Sequence, residues 1–142
     1  MSTTNKPTTI FWIISILALF WNIMGVVSYL GQAYMTDEVL AALPQAEQDY
    51  YSNTPAWVTA AFAIAVFAGA FGSLALVLKK KLALPLLQLS LLAVIAQFAY
   101  NFFMQDYVEL TGTRMILPIV VLVIAAFLVW FAKSSKDKRW LS

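Results

Sequence analysis

Four stretches of this chain are apolar for about twenty residues at a time, and the polar residues collect between them. The runs cover residues 10–31, 56–78, 82–104 and 115–132. A 22-residue helix rises roughly 33 Å at about 1.5 Å per residue, enough to cross a hydrocarbon core of about 30 Å. The pattern predicts an all-α, integral-membrane four-helix bundle, a single transmembrane domain over residues 1–142. The first run ends near Gly31-Gln32-Ala33, a small-x-small triplet like those at signal-peptide cleavage sites. It is longer than the apolar core of about 7–15 residues that signal peptides carry, and it reads as a span.

The connections have their own signals. Between the first two spans, Thr36 followed by Asp37 and Glu38 predicts a helix N-cap with acids in the first turn, where they favour the positive end of the helix dipole. Pro44 ends that short surface helix or restarts it, and Tyr50 and Tyr51 then fall at headgroup level. Thr54-Pro55 predicts a cap with proline as the first helical residue of the second span. Lys79-Lys80-Lys81 separates the second and third spans. Three adjacent ammonium groups cannot stay in hydrocarbon at about 2.5–3.5 kcal/mol each, so they mark a water-exposed turn.

Charge adds an orientation. If the spans alternate, eight of the nine basic residues fall on one side: Lys6, the three lysines of the turn, Lys133, Lys136, Lys138 and Arg139. Arg114 alone falls on the other, with six of the seven acids. The excess of lysine and arginine in short loops predicts both termini in the cytoplasm, with Lys79, Lys80 and Lys81 as topology anchors. Trp12, Trp130 and Phe131 then lie near the inner interface, and Tyr29, Tyr34, Trp57, Tyr100 and Tyr107 near the outer one.

The chain is 62% hydrophobic and 11% charged, with no cysteine and no histidine. That removes thiol chemistry, the commonest metal ligand and the commonest general base. No span carries a charge, which argues against an intramembrane proton relay. The outer acids Asp37, Glu38, Glu47 and Asp49 match no calcium loop. The sequence predicts no enzyme, no cofactor, no metal site and no nucleic-acid partner; the expected partner is the lipid bilayer.

Neutral polarity inside the spans is what remains. In span one, Asn22, Gly25, Tyr29 and Gln32 are spaced to share a helix face; in span three, Ser90, Gln97 and Asn101 do so. Asn22 and Gln97 come out at similar depth in parallel helices. Amides there need partners, because lipid offers none. One expectation is an interhelical hydrogen bond that sets the register of spans one and three. The other is a ligand-binding pocket lined by Asn22, Tyr29, Gln32, Gln97, Tyr100 and Asn101, with Trp21 beside them, suited to a neutral hydroxyl-bearing solute. In span two, Ala61, Ala65, Gly69 and Ser73 recur every fourth residue as a helix-packing stripe, for contacts within the molecule or for a homodimer.

Four segments carry a resemblance: Phe20-Trp21-Asn22-Ile23-Met24-Gly25, Tyr29-Leu30-Gly31-Gln32-Ala33-Tyr34-Met35-Thr36, Pro55-Ala56-Trp57-Val58-Thr59-Ala60 and Tyr100-Asn101-Phe102-Phe103. With them the chain resembles short four-span bacterial inner-membrane proteins that often carry the default label "sugar transporter". DoxX-type four-span proteins are similar in size and span count. The resemblance implies a location in the bacterial inner membrane and a topology, with no secure activity. Two functional expectations stand beside each other: binding or transport of a small neutral solute such as a sugar, and an accessory membrane subunit with no ligand of its own.

Overall fold

A computed structural model describes residues 6–104 and 115–142. The predicted turn at 105–114, with Asp106, Tyr107, Glu109, Gly112 and Arg114, lies outside the described residues. Every regular element is helical among the described residues: α1 (Thr9–Ala33), α2 (Asp37–Ala41), α3 (Gln45–Asn53), α4 (Ala56–Val77), α5 (Ala83–Ala99) and α6 (Ile116–Asp137). The end of α5 runs on as one π-helical turn, Tyr100–Met104. Four helices are long and apolar enough to cross a membrane, α1, α4, α6 and α5 with its π turn.

The helix starts follow the cap chemistry at α1 and α2 and depart from it at α3 and α4. Thr8 Oγ1 accepts from Phe11 N at 3.2 Å, and Thr36 Oγ1 accepts from Val39 N at 3.2 Å. Pro44 and Pro55, however, stand just outside α3 and α4 and supply no side-chain cap. Thr54 does not cap α4 either; its hydroxyl donates back to Tyr50 O at 2.5 Å. A hydroxyl that close to a free carbonyl at the end of α3 satisfies that acceptor instead. α6 also outruns the predicted span by five residues, to Asp137. Lys136 sits in its last turn, where a cation complements the partial negative charge of the helix end.

The four long helices form a row in chain order: α1 packs on α4, α4 on α5 and α5 on α6. Small residues let the inner helices approach closely. Ala61, Ala65, Gly69 and Ser73 are all buried, together with Ala68 and Gly72. A β-carbon at Gly72 would stand 2.8 Å from Leu87 Cγ, and one at Gly25 would stand 3.0 Å from Val66 Cγ1. The packing stripe of span two is therefore buried within the chain, against α1 and α5. The outward faces are apolar, with Phe20, Met24, Val27, Leu92, Val123 and Trp130 mostly exposed. Such surface is favourable against lipid and unfavourable against water.

The lysine-bearing end is closed. The start of α1, the α4–α5 turn and the end of α6 share one core of Phe11, Leu76, Ala83, Leu128, Phe131, Ala132 and Leu141. Phe11 stacks on Phe131 with centroids 5.6 Å apart and meets Trp140 edge-on at 5.6 Å. Two left-handed turns make this closure. Lys79 (φ 58°) and Arg139 (φ 62°) follow the ends of α4 and α6. After α4, Lys80 N donates to Ala75 O and Lys79 N to Leu76 O; after α6, Trp140 N donates to Ser135 O and Arg139 N to Lys136 O. Both are Schellman caps built without glycine. The two turns are laced together: Ser142 N donates to Lys79 O at 2.9 Å, and Lys81 N donates to Ser142 O at 3.0 Å.

Candidate functional site

Away from the lysine end the row does not close into a ring. α1 and α6, its two outer members, share little backbone contact, and between them opens a cavity of about 430 Å³. Its walls come from all four long helices: Trp21, Asn22, Gly25 and Ser28 of α1, Phe62, Ala65 and Val66 of α4, Leu87, Ser90, Val94, Gln97 and Phe98 of α5, and Leu117, Pro118, Val121, Ile124, Ala125 and Leu128 of α6. Asn101 of the π turn also reaches it. The volume falls within the usual range of ligand pockets, about 300–1,000 Å³. Among the described residues no charged side chain lines it.

Of the six residues expected to line a pocket, Asn22, Gln97 and Asn101 do so. The spacing of Ser90, Gln97 and Asn101 does place them on one wall. Tyr29 stands elsewhere, edge-on to Phe62 at 5.5 Å and Phe67 at 5.8 Å. Tyr100 is buried beside Trp57 (5.8 Å) and Tyr50 (6.2 Å), and Gln32 is half-buried near the end of α1. A face computed at 3.6 residues per turn gathers residues along the whole helix, whereas the cavity occupies only the part where α1 has separated from α6.

Asn22 does bond across helices, but to α4. Its Nδ2 donates to Ser73 Oγ at 3.0 Å and to Ala18 O at 2.8 Å. The missing β-carbon of Gly69 makes room for it: a β-carbon there would overlap Asn22 Oδ1 and stand 3.0 Å from its Cγ. Along the same stripe of α4, Ser90 Oγ donates to Ala65 O at 2.7 Å. The packing stripe and the polar residues are thus one device, which pins α1 and α5 to α4. Gln97 is not drawn into it, and its amide has no hydrogen-bond partner among the described residues.

At the end away from the lysines, α3 is tied to the cavity wall. Tyr50 O–H donates to Asn101 Oδ1 at 2.5 Å. Burial, and then the neighbouring phenols of Tyr100 and Tyr51, push the Tyr50 pKa up to about 12. Burial, and then Glu47, also raise that of Tyr51. The phenol therefore stays a donor at any physiological pH. The link between Tyr50 and Asn101 was not legible in the sequence, since a tyrosine in a polar loop carries no mark of its partner. The α6 wall was equally hidden, because Val121, Ile124 and Ala125 read alike whether they face lipid or a cavity.

No group of three His, Cys, Asp or Glu side chains able to hold a metal occurs among the described residues. Comparison with family models, with curated proteins and with solved structures finds no match to this chain.

Proposed function

We propose that this is a multi-pass protein of the bacterial cytoplasmic membrane, with the lysine-bearing end inside, whose bundle binds a small uncharged molecule in the cavity between α1 and α6. The observation that carries the reading is the cavity itself: about 430 Å³ bordered by three amide side chains and, among the described residues, no charge. Packed interiors rarely leave such space unfilled. The charge asymmetry across the spans supports the orientation, and the resemblance to short four-span inner-membrane proteins supports the location. Among the described residues no nucleophile–base pair borders the cavity, which favours binding over chemistry.

Thermal unfolding in detergent micelles tests it, with glucose, glycerol and 1-monooleoylglycerol as probes and Ala125→Phe as the cavity-filled control. A molecule that binds only the folded state at one hundred times its Kd adds about 2.7 kcal/mol. At least one probe is expected to raise the midpoint of the parent saturably and leave the filled variant unmoved. If every probe shifts both proteins alike, the cavity binds nothing specific, and the accessory-subunit reading replaces this one.

A further inference from the structure

We propose that the ligand is an uncharged single-chain lipid taken sideways from the bilayer, its chain lying along α6 and its hydrogen-bonding head at Gln97; this rests on the reading of the cavity as a binding site. Three observations lead there. The first is where the cavity opens. The gap lies between α1 and α6, inside the apolar stretches of both, while the lysine end below it is shut by Phe11 against Phe131 and Trp140. An opening at hydrocarbon depth is reached first by lipid chains.

The second is shape. On α6 the wall extends from Leu117 to Leu128, eleven residues or about 16 Å at 1.5 Å each. It is apolar throughout on that side, a long slot rather than a round pocket. The third is the placement of polarity. Gln97 carries two donors and an acceptor with no partner among the described residues, toward the end of the slot away from the lysines. Asn22 and Ser90 already donate to Ser73 and to Ala65. One free amide matches a head with one or two hydroxyl or ester oxygens. A sugar would bring several hydroxyls into this space, and each one left without a partner costs about 1–3 kcal/mol. A charged head would find no counter-charge among the described residues that line the cavity.

Trp21 lines the cavity and serves as the reporter. The protein in phosphatidylcholine nanodiscs is titrated with a monoacylglycerol whose chain carries two bromines, and the quenching assigned to Trp21 is the difference between the parent and Trp21→Phe. The expected result is saturable quenching, competed by unbrominated monoacylglycerol and not by phosphatidylglycerol. Ala125→Phe abolishes it. Gln97→Leu, with an unchanged thermal midpoint, raises the half-saturating concentration about five- to tenfold, the loss of one hydrogen bond of roughly 1–1.4 kcal/mol. Quenching that rises without saturation, persists in Ala125→Phe or ignores Gln97→Leu overturns the assignment. If glucose or glycerol stabilises the parent and not the filled variant while the lipid never saturates, the binding site stands and its lipid ligand falls. If both probe classes fail, both readings fall.

Discussion

The contact between Gly69 and Asn22 permits a sharp energetic test. A methyl group at residue 69 cannot coexist with the Asn22 amide, because its carbon would overlap Oδ1 and stand 3.0 Å from Cγ, with Ser90 Oγ 3.2 Å away on the other side. In Gly69→Ala the amide must swing out and lose its bonds to Ser73 and Ala18. An interhelical hydrogen bond in a membrane bundle contributes about 0.6–1.7 kcal/mol. Overpacking adds typically 1–3 kcal/mol. The single substitution should therefore cost about 2–4 kcal/mol. Asn22→Ala alone should cost about 1–2 kcal/mol, from the lost bond and the space left beside Gly69. With Asn22 already truncated, the new methyl enters that space, and adding Gly69→Ala should cost little or restore up to about 0.8 kcal/mol. The double variant then falls short of the summed single effects by about 2–5 kcal/mol. Reversible unfolding in mixed micelles with rising dodecyl sulfate, followed by circular dichroism, gives all four corners of the cycle. Gly31→Ala is the control, since a β-carbon there meets nothing within 4 Å. It should be neutral or slightly stabilising in the helix. Additivity within about 0.5 kcal/mol would refute the proposed seating of Asn22 against Gly69.

Three further expectations follow from other parts of the bundle. Lys79→Gly and Arg139→Gly should each stabilise the fold by up to about 1 kcal/mol in the same unfolding assay, because both residues hold a left-handed conformation that costs a side chain about 1–2 kcal/mol; destabilisation by either would show that its side chain contributes more than its backbone costs. Ser15→Ala and Ser135→Ala should be neutral or stabilising, since both hydroxyls are fully buried without a hydrogen-bond partner among the described residues; a loss above about 1 kcal/mol would reveal a bond that the structure does not contain. Tyr50 binds its proton more tightly folded than unfolded, so its contribution is complete below pH 10 and is lost as pH rises toward about 12. Melting curves of the parent should accordingly fall faster than those of Tyr50→Phe between those values, and parallel curves would contradict the burial of the phenol.

How much of this was legible beforehand depends on what each residue had to reveal. Apolar runs longer than a bilayer is thick could be little other than spans, and the helices coincide with them to within a few residues at most ends. Thr36 announced α2 because a cap acts over three residues of local sequence. Thr54 deceived for the same reason: its local sequence suits a cap, but its hydroxyl turns back to the carbonyl of Tyr50. Asn22 could be recognised as needing a partner, but a single sequence does not say which of three neighbouring helices supplies it. The answer lay in the small-residue stripe, since Gly69 is where Asn22 fits and Ser73 is what it bonds. The cavity was hidden because its walls are mostly hydrocarbon, and hydrocarbon is what the lipid-facing surface displays as well.

The row of helices in chain order has a consequence for how this protein is made. Each long helix packs on the one that left the ribosome before it, so most of the core can form while the rest of the chain is still being synthesised. The exceptions are the contacts of Phe11 with Phe131 and Trp140, and the lacing of Ser142 to the lysine turn. Until residues 131–142 emerge, α1 and α6 lack these contacts, and the gap between them has no floor at the lysine end. The last dozen residues turn that cleft into a chamber. A truncation that removes Trp140, Leu141 and Ser142 should leave all four long helices intact and the floor loosened.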